Sequence, residues 1–102
     1  MVSRGDVWLV DLDPSGERMA AGVHPCVILS PPEIHDYLGL VTVAPISEGC
    51  RAAGFRVPDP TGMIRLEQVR TVDKRLLTRQ VGAVEQKTLS TALATLREMF
   101  AE

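Results

Sequence analysis

The chain has little of several things, and each scarcity closes off a class of function. Among 102 residues there are four aromatic side chains, Trp8, Tyr37, Phe55 and Phe100. A base-stacking platform built on a row of aromatics is therefore excluded. There is no excess of positive charge: the formal net charge is −2, with a pI near 5.6. A protein that coats nucleic acid would be basic, so only a local basic groove remains open to this chain. No apolar run approaches the roughly 18 residues of a membrane span. The opening "MVSRGDVWL" carries charge where a signal peptide needs an apolar core, so the expected location is cytoplasmic and no membrane contact is expected. In that compartment the two cysteines, Cys26 and Cys50, are expected to stay thiols. His24, Cys26, His35, Asp36 and Cys50 match no recognised zinc spacing, so no metal or other cofactor is expected.

What is present is ordinary for a globular chain: 45% apolar and 24% charged residues. The length suits one domain, residues 1–102. "DVWLVDLDPSG" alternates Val7 and Leu9 against Trp8, Val10 and Leu12, then breaks on Asp-Pro-Ser-Gly, so it reads as a strand and a turn. Residues 15–23 read as an exposed loop. "PCVILS" is a short apolar run closed by prolines, as expected of a strand buried on both faces. "EIHDY" is read as a helical turn or a loop, with His35 and Asp36 assigned to the loop. "LGLVTVAPIS" reads as a third strand. "GFRVP" and "GMIRLEQVRTV" are strand candidates separated by the turn-forming "DPTG". In the second of these, strict alternation places Gln68 and Arg70 on one strand face. Asp73 is a candidate N-cap, and "QVGAV" a short edge segment. From Thr88 onward Leu89, Leu93, Leu96 and Phe100 recur at helical spacing, so this stripe is expected to pack on the sheet. Five or six short strands and a C-terminal helix predict a mainly β fold, a small, partly closed β-barrel.

"RGDVWLVDLDP", "HPCVILSP", "VTVAPIS" and "LEQVRTVDKRLL", in that order and followed by the helix, resemble the MazF/PemK family of type II toxin–antitoxin endoribonucleases. The resemblance implies an SH3-like or CcdB-like barrel, usually a symmetric homodimer. It also implies metal-independent cleavage of single-stranded RNA (mRNA) and a cognate antitoxin with a disordered tail. In the family, an Arg before the Pro of an Arg-Pro pair does cationic and acid–base work; His24 stands there in this chain. A Thr or Ser closing the "Pro-x-Ser/Thr" strand grips the phosphate; Ser47 matches it. A Glu in the preceding loop, five residues after its Pro, is also frequent in the family; that place is Met19, with Glu17 and Arg18 close by as stand-ins.

An imidazole is suited to proton transfer near neutral pH, but it lacks the guanidinium fork that clamps phosphate. The candidate catalytic residues are thus His24 and Ser47, and the candidate substrate-binding residues Gln68, Arg70, Glu17 and Arg18. The competing readings are a backbone-bonded loop histidine, a turn-bonding serine, and a solvated edge-strand face for Gln68 and Arg70. Asp73 and Lys74 are read as cap and ion pair. Arg51, Arg56 and Arg65 read as surface charges that could join Arg70 in a positive groove. Trp8 and Phe55 read as core or dimer-interface anchors. At the level of function, the His-for-Arg exchange keeps open two alternatives: a non-nuclease binding toxin of the same fold, gyrase-poison-like, and a catalytically weakened toxin.

Overall fold

The computed structural model describes residues 2–12, 22–49, 51 and 54–101. Its elements in chain order are β1 (Asp6–Asp11), β2 (Val23–Ile28), α1 (Pro32–Leu38), β3 (Leu40–Ser47), β4 (Arg56–Asp59), β5 (Gly62–Arg65), β6 (Arg70–Asp73), β7 (Leu77–Ala83) and α2 (Gln86–Met99). Single 3₁₀ turns at Leu66–Gln68 and Lys74–Leu76 flank β6. The strands pair antiparallel in the order β4-β5-β3-β2-β1-β7, with β6 added against β3. This is the expected mainly β architecture, with more strands than the turn signals alone suggested.

β2 shows why the proline-bounded apolar run matters. Successive strand residues point to opposite faces. Cys26 and Ile28 enter one cluster with Val10, Val41, Val43 and Val72. Val27 and Leu29 enter another with Ala44, Ile46, Ile64 and Leu66, which α2 covers through Leu89 and Ala92. A strand buried on both faces needs apolar residues throughout, and the run from Cys26 to Leu29 has them, whereas Val23 and His24 at the start of β2 are exposed. Phe100 departs from the expected stripe. It follows the last helical residue and is 74% exposed, because the sheet surface under α2 is already filled by Leu93, Leu96 and Met99.

Two further expectations are corrected. His35 does not lie in a loop. It belongs to α1, which starts on Pro32, whose fixed φ suits the first helical position, and ends at Gly39 in the left-handed conformation (φ 68°). The side chain is 1% exposed. Nor is "MIRLEQVRTVD" one alternating strand. β3 pairs Val43 with Arg70 but Ile46 with Ile64. Three steps along β3 thus match six along its partner, and the three extra residues are the 3₁₀ turn Leu66–Gln68. The turn sends Leu66 into the core and Val69 against it. Gln68 and Arg70 consequently do not share a strand face. Asp73 does cap the next turn, accepting from the Arg75 backbone N–H at 2.8 Å.

Candidate active site

β1 and β2 pair with Val10 opposite His24, and β2 and β3 with Cys26 opposite Pro45. Carried two residues further, the second register sets His24 opposite Ser47. Both residues line one cleft of about 760 Å³, together with Pro25, Ile46, Glu48 and Asp59. Val81, Gly82 and Ala83 of β7 form its far wall. Separate strands therefore bring the imidazole and the hydroxyl to a shared concavity of a size usual for ligand sites.

Each is braced by its backbone. The Cys26 thiol donates to the His24 carbonyl at 3.6 Å. Burial pushes that thiol up to about 12, against the opposing pull of the Arg70 charge, so Cys26 stays protonated and unreactive. Ser47 pairs with Met63, and the neighbouring Gly62 lies so close that a Cβ there would sit 2.7 Å from the Ser47 carbonyl oxygen. Only glycine permits that approach.

The electrostatics of the cleft are unusual for a phosphate site. Its lining contains two carboxylates, Glu48 and Asp59, and neither Lys nor Arg among the described residues. Asp59 is engaged by its own turn, accepting from the Thr61 N–H at 3.1 Å and from its hydroxyl. Glu48 faces the cleft exposed. An imidazole that can take or give a proton, a hydroxyl that can donate to an anionic oxygen, and a carboxylate are the chemistry available.

The other expected contributors lie elsewhere. Gln68, on its 3₁₀ turn, and Arg70, on β6, are both exposed and absent from the cleft lining. Arg70 borders a different groove. Glu17 and Arg18, and Met19 with them, lie outside the described residues. Arg56 and Arg65 do not stand as free cations: both bond Oε2 of Glu67, at 3.0 and 3.1 Å. Partial burial pushes the Glu67 carboxyl up, but the two guanidinium bonds outweigh it and hold the group below its usual value. Lys74 pairs with Asp36 at 3.6 Å. Glu48 was legible as the residue after Ser47, whereas nothing local in the sequence brings Asp59 or β7 to the same cleft. Among the described residues no group of three or more His, Cys, Asp and Glu is gathered as a metal site would need.

A model of the family described as PemK-like, MazF-like toxin of type II toxin–antitoxin system matches residues 3–100. Endoribonuclease PemK of Escherichia coli is 34% identical over 83 residues, covering 72% of this chain and 62% of PemK. This chain thus spans about three-fifths of PemK's length. Endoribonuclease toxin ChpB of Escherichia coli (strain K12) is 34% identical over 105 residues, covering 92% of this chain and 90% of ChpB. Among solved structures, MazF from Deinococcus radiodurans superposes with a TM-score of 0.82 at 19% identity, covering 96% of this chain and 94% of that one. A mycobacterial endoribonuclease in complex with its cognate antitoxin gives 0.80 at 23%, covering 96% and 93%. At those identities the structures show the shared fold. With the whole-length family match and the two relatives beside them, the chain belongs to the PemK-like, MazF-like toxins of type II toxin–antitoxin systems, a family whose matched relatives bear the name endoribonuclease.

Proposed function

We propose that this toxin, an endoribonuclease like its matched relatives, cleaves single-stranded RNA in the cleft shared by His24 and Ser47. The observation that carries the reading is their common concavity, reached from two strands. In the proposed step the 2′-oxygen attacks the adjacent phosphorus while the His24 imidazole takes the 2′-hydroxyl proton. The bond from phosphorus to the 5′-oxygen breaks, and the imidazolium returns that proton to the leaving oxygen. Ser47 donates its hydroxyl hydrogen to a non-bridging oxygen as charge gathers there. The products are a 2′,3′-cyclic phosphate and a free 5′-hydroxyl. No metal enters this scheme. Gln68 and Arg70, outside the cleft, have no part at the scissile phosphate.

A cognate antitoxin is the proposed partner, in line with the antitoxin-bound neighbour structure. Two copies of the chain are the proposed assembly. Among the described residues the outer edge of β7 ends the sheet and nearly all its side chains are exposed, an edge of the kind that pairs with another chain. The proposed location is the cytoplasm, a reading supported by the proposed RNA substrate and antitoxin partner.

The test is cleavage of a mixed-sequence RNA in EDTA, with the ends mapped. Cyclic-phosphate termini are expected. Proton transfer by a placed side chain contributes about 10²–10⁴-fold, so His24→Ala should cost at least a hundredfold, and Ser47→Ala a clear further fraction. Intact RNA from pH 5 to 9, a range that brackets imidazole titration at about 6.5, would overturn the reading. So would cleavage that neither substitution alters.

A further inference from the structure

β7 carries a shift in register that its sequence conceals. β1 pairs Val7 with Gly82, Trp8 with Gln80 and Leu9 with Arg79. One step along β1 from Val7 thus spans two along β7, and Val81 is the extra residue of a bulge. Without the bulge, Gly82 and Arg79 would point to opposite faces, because side chains alternate along a strand. With it, both stand on the face of Val7 and Leu9. Bulges re-aim side chains in this way and are common beside active sites. Val7 and Gly82 line the His24 cleft, so Arg79 is the next residue of β7 on the cleft's face of the sheet. The ground between is bare. A Cβ at Gly82 would meet no atom within 4 Å, and the residue is not among the glycines of positive φ, so the backbone does not demand glycine there. A glycine inside a strand often marks the close approach of a ligand. The Thr78 hydroxyl, donating to the Leu9 carbonyl at 3.0 Å, pins β7 to β1 beside Arg79. Arg79 itself is exposed and has no ion-pair partner among the described residues. Arg56, Arg65, Lys74 and Arg75 each have one.

We infer that Arg79 binds a backbone phosphate of the RNA flanking the scissile one, an assignment that rests on the cleavage site proposed above. The cleft lining holds two carboxylates and no cation among the described residues, so a polyanion that enters it needs positive charge at the mouth. Arg79 stands where that charge is wanted. β1 sets Leu9 opposite both Pro25 and Arg79, so one cross-strand row runs from the guanidinium to a residue of the cleft. Ser47 lies beyond it on β3, three strands from β7, or roughly 14 Å at the spacing of strands in a sheet. That is too far for Arg79 and Ser47 to grip the same phosphate. Arg79 is therefore a substrate-binding residue that sets the path of the strand, with no part in bond breaking.

The experiment measures binding of the full chain to a fluorescein-labelled, mixed-sequence oligonucleotide of 2′-O-methyl RNA, read by anisotropy over a series of salt concentrations. That probe keeps every phosphate but lacks the attacking hydroxyl, so binding is read apart from cleavage. For single strands, log K falls against log salt with a slope of about 0.7 per phosphate neutralised. Arg79→Ala should flatten the slope by about that amount and weaken binding several-fold at low salt. Arg79→Lys keeps the charge and should restore most of the slope. Arg97→Ala removes an exposed guanidinium outside the cleft and should leave the slope as in the wild type. Circular dichroism checks that each variant is folded. On cleavable RNA the Arg79→Ala loss should fall on KM, the mark of binding shared by ground and transition states. A slope that Arg79→Ala does not change overturns the inference. So does an equal flattening in Arg97→Ala, which would make overall charge the cause. A fall in kcat at constant KM overturns it as well, by assigning Arg79 to the bond-breaking step. If the slope result holds but the wild type cleaves no RNA, the phosphate contact stands and the nuclease reading falls. If RNA is cleaved while the slope ignores Arg79, the nuclease reading stands and this inference falls.

Discussion

Oγ of Ser30 and Nε2 of His35 meet at 2.6 Å in the interior, where both side chains are shielded from solvent. Nδ1 of His35 lies 3.3 Å from the Val2 carbonyl, which can only accept, so Nδ1 donates there; in the neutral imidazole Nε2 then accepts from the serine hydroxyl. The serine oxygen in turn accepts from the Thr42 backbone N–H at 2.9 Å. One short chain of bonds ties the N-terminal segment, α1 and β3 together.

Ser30→Ala leaves a buried ring nitrogen and a backbone N–H without partners. Orphaned buried groups of this kind cost about 1–3 kcal/mol. Urea unfolding should show a loss in that range, with RNA cleavage by the folded fraction unchanged because Ser30 is outside the cleft. A loss below about 0.5 kcal/mol, smaller than one net hydrogen bond, would mean that water replaces the hydroxyl.

The sequence disclosed what depends on local pattern. The apolar run of β2, the leucine stripe of α2 and the cap at Asp73 were all readable, because periodicity and side-chain reach determine them. His24 and Ser47 were readable as candidates only through family resemblance; the β2–β3 register that brings them to one cleft is a feature of the folded sheet. What stayed hidden depends on distant packing. The 3₁₀ turn that separates Gln68 from Arg70 exists because β3 pairs with two partners at different offsets, and no window of the sequence contains both. His35 was misplaced although Pro32 and Gly39 mark its helix, since seven residues are too few for a periodic signal. Phe100 fitted the stripe by spacing, but the sheet beneath was already covered.

Burial of the Cys26 thiol makes stability depend on alkaline pH. The folded state keeps its proton up to about 12, from a reference of 9.0. Between those values the unfolded chain releases a proton that the folded one retains, so stability falls as pH rises, by about 1.4 kcal/mol per unit at the limit. Below pH 9 the contribution is complete and flat. Urea midpoints of the wild type and Cys26→Ala, compared from pH 8 to 10.5, should converge as the wild type loses its advantage. Parallel curves would show that the thiol ionises equally in both states.

Gly62 is expected to control the geometry of Ser47. An added methyl would press on the Ser47 carbonyl at 2.7 Å, and overpacking of this kind costs about 1–3 kcal/mol. Gly62→Ala should lower stability by that amount, move the Ser47 amide resonance and cut RNA cleavage about tenfold or more. Gly49→Ala is the control. It shares a positive φ (68°) but has open space around its Cβ, so it should cost about 1 kcal/mol of backbone strain and leave Ser47 in place.

Glu48 sets a test of which group does the proton work. Its carboxylate borders the cleft that has to admit a phosphodiester, beside Ser47 and with no lysine or arginine in the lining among the described residues. If it is a bystander, it repels the substrate. A like charge about 4 Å away costs roughly 1 kcal/mol in a water-filled cleft, which is about fivefold in binding. Glu48→Gln should then lower KM several-fold at low salt, with little change in kcat. The gain should fade as added salt shortens the screening length to about 8 Å or less. The opposite result is equally informative. A fall in kcat of about a hundredfold, the scale of a lost general base, would make Glu48 the acceptor of the 2′-hydroxyl proton. His24 would then keep only the return of a proton to the leaving oxygen, and kcat in the Glu48→Gln enzyme should lose its acid limb and keep the alkaline one.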